Sequence, residues 1–141
     1  MNRLARMLLG LLGTILGMGA AGCGAPVYGV APVYGAPSAE YKLSGKVVDA
    51  TTKVAIPGIS LAFQGGTTTS GADGTWLMDT SAFPCGNTCT LSVRDTDGTV
   101  NGSYTDLEVA LAPTQTTPGS GPFNEGLFEQ KDIQVALVAK P

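Results

Sequence analysis

Apolar and polar residues alternate in short runs through residues 40–141, which is the pattern of half-buried β-strands. The clearest run, residues 41–49, places Tyr41, Leu43 and Val47 on one face. Five further runs are also predicted as strands, at residues 59–63, 75–79, 90–94, 104–111 and 132–139, and the β-branched run at residues 67–70 suits an exposed strand. Glycine, proline and Asp-Gly turn signals separate the runs, and no segment has a convincing helical period. The pattern therefore predicts an all-β domain, a single antiparallel β-sandwich of about seven strands.

Residues 1–22 have a different pattern, with Arg3 and Arg6 ahead of an uncharged, mostly apolar run at residues 7–21. A basic start, an apolar middle and small residues at the end are the three regions of a secretory signal peptide. The apolar run is shorter than the ~20 residues that a membrane-spanning helix needs. We therefore expect a leader peptide here.

The end of this leader, Ala20-Ala21-Gly22-Cys23, resembles a bacterial lipobox. The resemblance implies cleavage before Cys23, diacylglycerol on its sulfur and acylation of the new amino group, so that the chain meets the membrane through a lipid anchor. Gly24 follows, where lipoproteins retained at the inner membrane often have Asp, which favours the outer membrane. An ordinary signal peptide followed by a chance cysteine is the alternative.

Residues 23–39 predict a proline- and glycine-rich tether, because neither a helix nor a central strand tolerates this spacing of prolines. The pentapeptide Ala-Pro-Val-Tyr-Gly occurs twice and contributes Tyr28 and Tyr34. The two tyrosines either form a motif that a partner recognises or belong to a duplicated spacer.

Charge and composition exclude several functions. The chain has 8 Lys and Arg, 11 Asp and Glu, and no histidine. Losing Arg3 and Arg6 with the leader leaves 6 basic against 11 acidic residues, an acidic protein without the basic cluster that nucleic-acid binding requires. The absence of histidine removes Ser-His-Asp and Cys-His catalysis and all imidazole zinc sites.

Three segments carry a resemblance to a known domain family: Ser44–Asp49, Ile56–Ile59 and Thr69–Trp76. Together they resemble the carboxypeptidase regulatory-like domain, an Ig-like, transthyretin-like β-sandwich. The resemblance implies an accessory module without catalysis. Trp76 stands where that family has a core phenylalanine, so we expect it to pack in the core rather than to form a carbohydrate platform.

A narrower resemblance covers residues 34–49 and 94–104. These two segments are similar to those of the radical-SAM-associated lipoproteins, short lipid-anchored proteins of unknown function. The resemblance implies that the chain is a substrate or partner of a radical SAM enzyme. Ser103 and Tyr104 depart from that family's usual pattern, as does the duplicated tether.

Cys85 and Cys89 remain as an even pair once Cys23 is lipidated, in a compartment that permits disulfides. They bracket a Gly-Asn-Thr turn that can bring their Cα atoms within disulfide range. The spacing predicts a structural disulfide. The alternative is that one sulfur is the target of a radical SAM maturase.

Asp95, Asp97 and Asn101 offer three side-chain oxygens on a short loop, and calcium selects such ligands. The EF-hand spacing is not met, since Val100 and Asp106 occupy its glycine and glutamate positions. Asp-Gly and Asn-Gly are also strong turn formers, so the alternatives are a calcium site and plain turn chemistry.

Residues 112–131 hold three prolines and several threonines, and predict a long connection between strands. Phe123, Leu127 and Phe128 lie in its second half. We expect them either to fold back over an edge strand or to present an apolar contact to a protein partner.

These patterns predict a non-catalytic, lipid-anchored protein of the bacterial cell envelope, without a cofactor, whose sandwich is a binding or structural module. One alternative is an envelope enzyme that uses a carboxylate pair, Asp95 with Asp97 or Glu125 with Glu129. Another is a calcium-braced module that binds carbohydrate or protein.

Overall fold

The computed structural model of the protein describes residues 35–141, so the predicted leader, the lipidated Cys23 and the tether residues Tyr28 and Tyr34 lie outside the described residues. Residues 35–141 contain no helix, and hence none that is long and apolar enough to cross a membrane. They form eight strands: β1 (Ser38–Asp49), β2 (Ile59–Phe63), β3 (Gly66–Thr69), β4 (Thr75–Ala82), β5 (Cys89–Asp95), β6 (Leu107–Leu111), β7 (Thr114–Pro118) and β8 (Asn124–Leu137).

The strands make two four-stranded sheets, with the orders β4-β1-β8-β7 and β3-β2-β5-β6. The all-β sandwich predicted from the sequence is confirmed. One pair differs from the antiparallel expectation, because β1 and β8 run parallel through the middle of the first sheet. The five other strand pairs of the described residues are antiparallel. The first and last strands of the domain therefore lie side by side at the centre of this sheet, with β4 and β7 at its edges.

The prediction of a long connection at residues 112–131 is wrong, because this segment contains β7 and the first half of β8. The two strands form an antiparallel hairpin in which Thr114 pairs with Glu129 and Pro118 with Gly126. Two of the three prolines of this stretch flank or end β7: Pro113 precedes it and Pro118 is its last residue, on a strand at the edge of the sheet. Threonine-rich edge strands lack the apolar alternation on which the prediction depended.

Smaller differences concern where strands begin. The predicted strand 104–111 begins only at Leu107, and Tyr104 instead makes an isolated bridge to Ala139. The first strand begins at Ser38, two residues before the predicted start of the domain, because the Ser38 amide donates to the Phe123 carbonyl oxygen at 2.8 Å.

The core lies between the sheets and is built from alternate residues of the long strands. Tyr41, Leu43 and Val47 are buried, as their alternation predicts. Trp76 is 4% exposed and belongs to the core cluster, which confirms the prediction that it packs rather than offers a platform. The other buried apolar residues are Ala39, Ile56, Ile59, Leu61, Phe63, Met78, Cys89, Leu91, Val93, Leu111, Ile133, Val135 and Leu137.

Candidate functional site

A pocket of about 210 Å³ opens at one end of the sandwich, where β4 ends and β5 begins. Tyr41 of β1 and Phe128 of β8 contribute aromatic rings from the inner side of the first sheet. The loop between β4 and β5 closes the opposite side. The residues that line the pocket are Tyr41, Pro84, Cys85, Gly86, Cys89, Pro113, Glu125 and Phe128.

The aromatic side of the pocket is fixed by packing. Tyr41 and Phe128 are paired across β1 and β8, with ring centroids 5.7 Å apart and planes 31° apart. Tyr41 also meets Phe63 edge to face at 5.1 Å. These two contacts hold the Tyr41 ring on both sides and leave it only 2% exposed. The pocket therefore has a rigid aromatic wall.

The loop side is held by the predicted disulfide. Cys85 and Cys89 are bonded, with their Cα atoms 5.2 Å apart. The Tyr41 hydroxyl accepts a hydrogen bond from the Cys85 amide at 2.9 Å and donates to the Cys85 sulfur at 3.4 Å. A short covalent ring and two hydrogen bonds thus tie the loop to β1, and preorganised walls lower the entropy lost on binding.

The third side comes from the turn between β6 and β7 and from the start of β8. The Ala112 amide donates to the Gln130 side-chain oxygen at 2.8 Å, and the Gln115 side chain donates to the Glu125 carbonyl oxygen. These bonds hold Pro113 and Glu125 at the pocket. Among the described residues that line it, Glu125 is the only carboxylate, and there is no lysine or arginine.

Phe123 and Phe128, predicted together as partner contacts or as an edge cover, lie in different surroundings. Phe128 is partly buried against the core and lines the pocket. Phe123 is 37% exposed and precedes β8, where its carbonyl oxygen accepts hydrogen bonds from Ser38. Phe128 therefore belongs to both the core and the pocket, and Phe123 belongs to the junction of β1 and β8.

Asp95 is the last residue of β5, and Asp97 and Asn101 follow it, at the opposite end of that strand from the pocket. One Asp97 oxygen accepts from the Asn101 amide at 2.8 Å, and one Asp95 oxygen accepts from the Tyr104 amide at 2.8 Å. Their other carboxylate oxygens are buried without a partner. Within residues 35–141, no cluster of three or more His, Cys, Asp or Glu side chains is placed to hold a metal. Turn chemistry accounts for the bonds that are made, and calcium binding stays a prediction.

The pKa of the Tyr104 side chain responds to its burial and to two nearby carboxylates. Burial raises the pKa of its phenol, and the negative charges of Asp49 and Asp95 raise it further. A neutral hydroxyl is therefore retained beside the acidic loop well into the alkaline range.

Sequence reasoning placed Tyr41 on a core face and named Phe128 as a contact, but it did not join them into one site. It considered Glu125 only as half of a pair with Glu129, whereas Glu129 lines a separate depression on β7 and β8. An aromatic residue on the core face of β1 and a cysteine pair in the loop between β4 and β5 are the sequence features that mark the site. The parallel pairing of β1 with β8 that brings them together has no local signal.

Comparisons with known proteins give little further guidance. No protein-family model matches the sequence, and no curated protein matches it. Among solved structures, the chain is similar to a Bacteroides fragilis protein of unknown function that is described as membrane-associated, with a TM-score of 0.45 and 16% sequence identity. The match covers 73% of this chain and 29% of that chain, so this chain spans under a third of its structural neighbour.

Proposed function

We propose that this protein is a lipid-anchored component of the bacterial cell envelope, attached through Cys23 and more consistent with the outer than the inner membrane, whose sandwich binds a partner without catalysis. The lipobox-like residues support the anchor. The pocket between Tyr41, Phe128 and the Cys85–Cys89 loop supports the binding role.

The observation that carries the binding role is the way the pocket is built. It combines aromatic rings, prolines and a disulfide, which are rigid groups that lose little conformational entropy when a partner is bound. Recognition sites of this kind pair an apolar lining with few polar groups. A catalytic carboxylate pair would need a second carboxylate near Glu125, and the described residues lining the pocket supply none.

A radical SAM enzyme is the partner class that the sequence resemblance suggests. A chain that such an enzyme modifies would carry a mass difference that its lipid does not explain. This proposal depends on the two resembling segments alone, and the pocket supports binding of some partner independently of it.

The binding role can be tested by photo-cross-linking in intact host cells. A photoreactive benzoylphenylalanine in place of Phe83, which is 62% exposed and precedes Pro84 at the pocket, is expected to yield a discrete adduct on illumination. The matched control replaces Leu77, which is 68% exposed on β4 and does not line the pocket. Adducts that are the same from both positions, or absent from both, would contradict the proposal.

The membrane role is tested with Cys23→Ser. The wild-type chain should partition into the detergent phase of a membrane extract, and the variant should leave it, because each lipid methylene contributes about 0.8 kcal/mol to membrane binding. Equal partitioning of the two proteins would remove Cys23 as the anchor.

A calcium-braced loop is the second candidate, favoured by the buried, unpartnered oxygens of Asp95 and Asp97. Calcium should then raise the melting temperature of the wild type but not of Asp97→Asn. A calcium response that survives this substitution, or no response in the wild type, would dismiss the site.

A further inference from the structure

The size of the pocket limits what it can hold. Pockets that enclose drug-sized molecules and cofactors typically measure about 300–1,000 Å³. At about 210 Å³, the pocket beside Tyr41 and Phe128 is below this range. Its volume suits one side chain of a larger partner better than a cofactor.

The walls select the shape and polarity of that side chain. Tyr41, Phe128, Pro84 and Pro113 provide apolar surface on several sides. A lysine or arginine buries its methylene stem on apolar surface while it keeps its charged head in a polar place. Aromatic rings add attraction for a cation that lies over their faces.

The charge at the pocket has the opposite sign to such a head group. Glu125 is exposed and lines the pocket, and no described lining residue is basic. The part of the chain that the structure describes holds all 11 acidic residues and 6 of the 8 basic ones. Its excess of negative charge attracts a cationic partner over longer distances as well.

From these three observations we infer that the pocket holds a lysine or arginine side chain of a protein partner, with the stem against the apolar lining of Phe128, Pro84 and Pro113 and the cationic head near Glu125. This inference rests on the proposed binding function. An acidic side chain would be repelled by Glu125, and a neutral apolar one would desolvate that carboxylate without pairing it.

Blocked pentapeptides test the inference directly. The full chain in detergent micelles is titrated with acetyl-Gly-Gly-Arg-Gly-Gly-amide and its lysine, norleucine and glutamate counterparts, and the ring signals of Tyr41 and Phe128 are followed by NMR. The arginine and lysine peptides should shift these signals in a saturable way. The norleucine peptide should bind more weakly, and the glutamate peptide should not bind.

A matched pair of variants isolates the carboxylate. Glu125→Gln should weaken arginine-peptide binding about two- to five-fold, the range expected for an exposed ion pair, and should remove the preference over norleucine. Glu129→Gln, on the same strand but outside the pocket lining, should leave binding unchanged. Raising the ionic strength should reduce the wild-type preference toward that of Glu125→Gln.

The outcomes separate this inference from the proposed function. If norleucine binds as well as arginine, the pocket is a binding site but not one for basic residues, and the inference is overturned alone. If n-butylguanidine binds as tightly as the arginine peptide, the occupant is a small cation rather than a protein side chain, which also overturns it. If no peptide shifts the rings, the inference fails, and cross-linking at Phe83 decides the binding role separately.

Discussion

Ser70 is a buried polar residue of the described chain that links two segments, and it is 5% exposed. Its hydroxyl accepts a hydrogen bond from the Ile59 amide at 3.0 Å and donates one to the Ile56 carbonyl oxygen at 2.8 Å. Both backbone groups would otherwise lie unpaired near the core. One side chain therefore fixes the entry of the chain into β2.

Replacing Ser70 with Ala is expected to lower the free energy of unfolding by about 1–3 kcal/mol, because it leaves a buried donor and a buried acceptor unsatisfied. Urea denaturation measures the change. Ser81→Ala, at an exposed position on β4, is the control and should stay within about 0.5 kcal/mol of the wild type. Equal losses in the two variants would show that the Ser70 bonds do not stabilise the fold.

Two exposed aspartates make the stability depend on pH. The pKa of Asp49 is lowered by backbone hydrogen bonds from Thr52 and Thr51, at 2.7 and 2.8 Å. The pKa of Asp73 is lowered by the Thr75 hydroxyl and then by the Thr75 amide, at 2.6 and 3.1 Å. Each carboxylate caps its own turn, and the charged form makes the stronger bonds.

A folded pKa below the unfolded one adds stability that is fully present above the unfolded pKa, near 4, and is lost as the pH falls through the folded value. The double variant Asp49→Asn/Asp73→Asn should therefore be less stable than the wild type at pH 7. The difference between them should shrink as the pH falls below about 4. Urea midpoints from pH 7 to pH 2.5 measure it, and a difference independent of pH would refute the assignment.

At the scale of elements, the pairing of β1 with β8 depends on a local irregularity. The register shifts between Leu43 and Gly45, where β8 accommodates one extra residue and Asp132 adopts a φ of 56°. A Cβ at Gly45 would collide with the Ile133 carbonyl oxygen. Glycine thus lets the two backbones approach closely at the bulge.

Gly45→Ala is expected to destabilise the fold by about 1–3 kcal/mol, because the backbone of Ile133 must move to make room. Gly71→Ala is the matched control, since a Cβ there meets only ordinary contacts at 3.5 Å or more and its φ is not positive. Thermal unfolding of both variants measures the difference. Tolerance at Gly45 equal to that at Gly71 would show that the bulge can relax.

The sequence predicted the alternating strands and the β-branched β3, and it missed β7 and the first half of β8. Leu43 and Val47 mark β1 clearly, because one face of that strand is buried and the other is not. In β7, all five residues are exposed, so burial leaves no trace in the pattern. The first half of β8 is recognised only through its partners on either side, and long-range pairing of this kind leaves no local signal.

The candidate site was predicted in parts for the same reason. The Cys85–Cys89 bond could be read from spacing, because it closes a short local loop. Tyr41 is far in sequence from Glu125 and Phe128 and meets them only through the β1–β8 pairing. A pocket made by non-local contacts becomes visible only once the topology is known.

At the scale of the whole molecule, the proposed lipid anchor at Cys23 would tether an acidic, disulfide-braced sandwich whose pocket is the proposed binding site. The anchor would concentrate the domain at a membrane surface, and the negative charge would favour basic partners there. A disulfide is stable in an oxidising compartment, which export through the proposed leader would provide.

The most direct test is the intact mass of the mature protein from host membranes, measured with and without reduction and alkylation. The account predicts a chain that begins at Cys23, carries acyl chains, and gains two alkyl groups only after reduction. A further mass difference would favour maturation by a partner enzyme, and fragmentation would locate it. A chain without acyl mass, or one that is alkylated at Cys85 and Cys89 before reduction, would contradict the account.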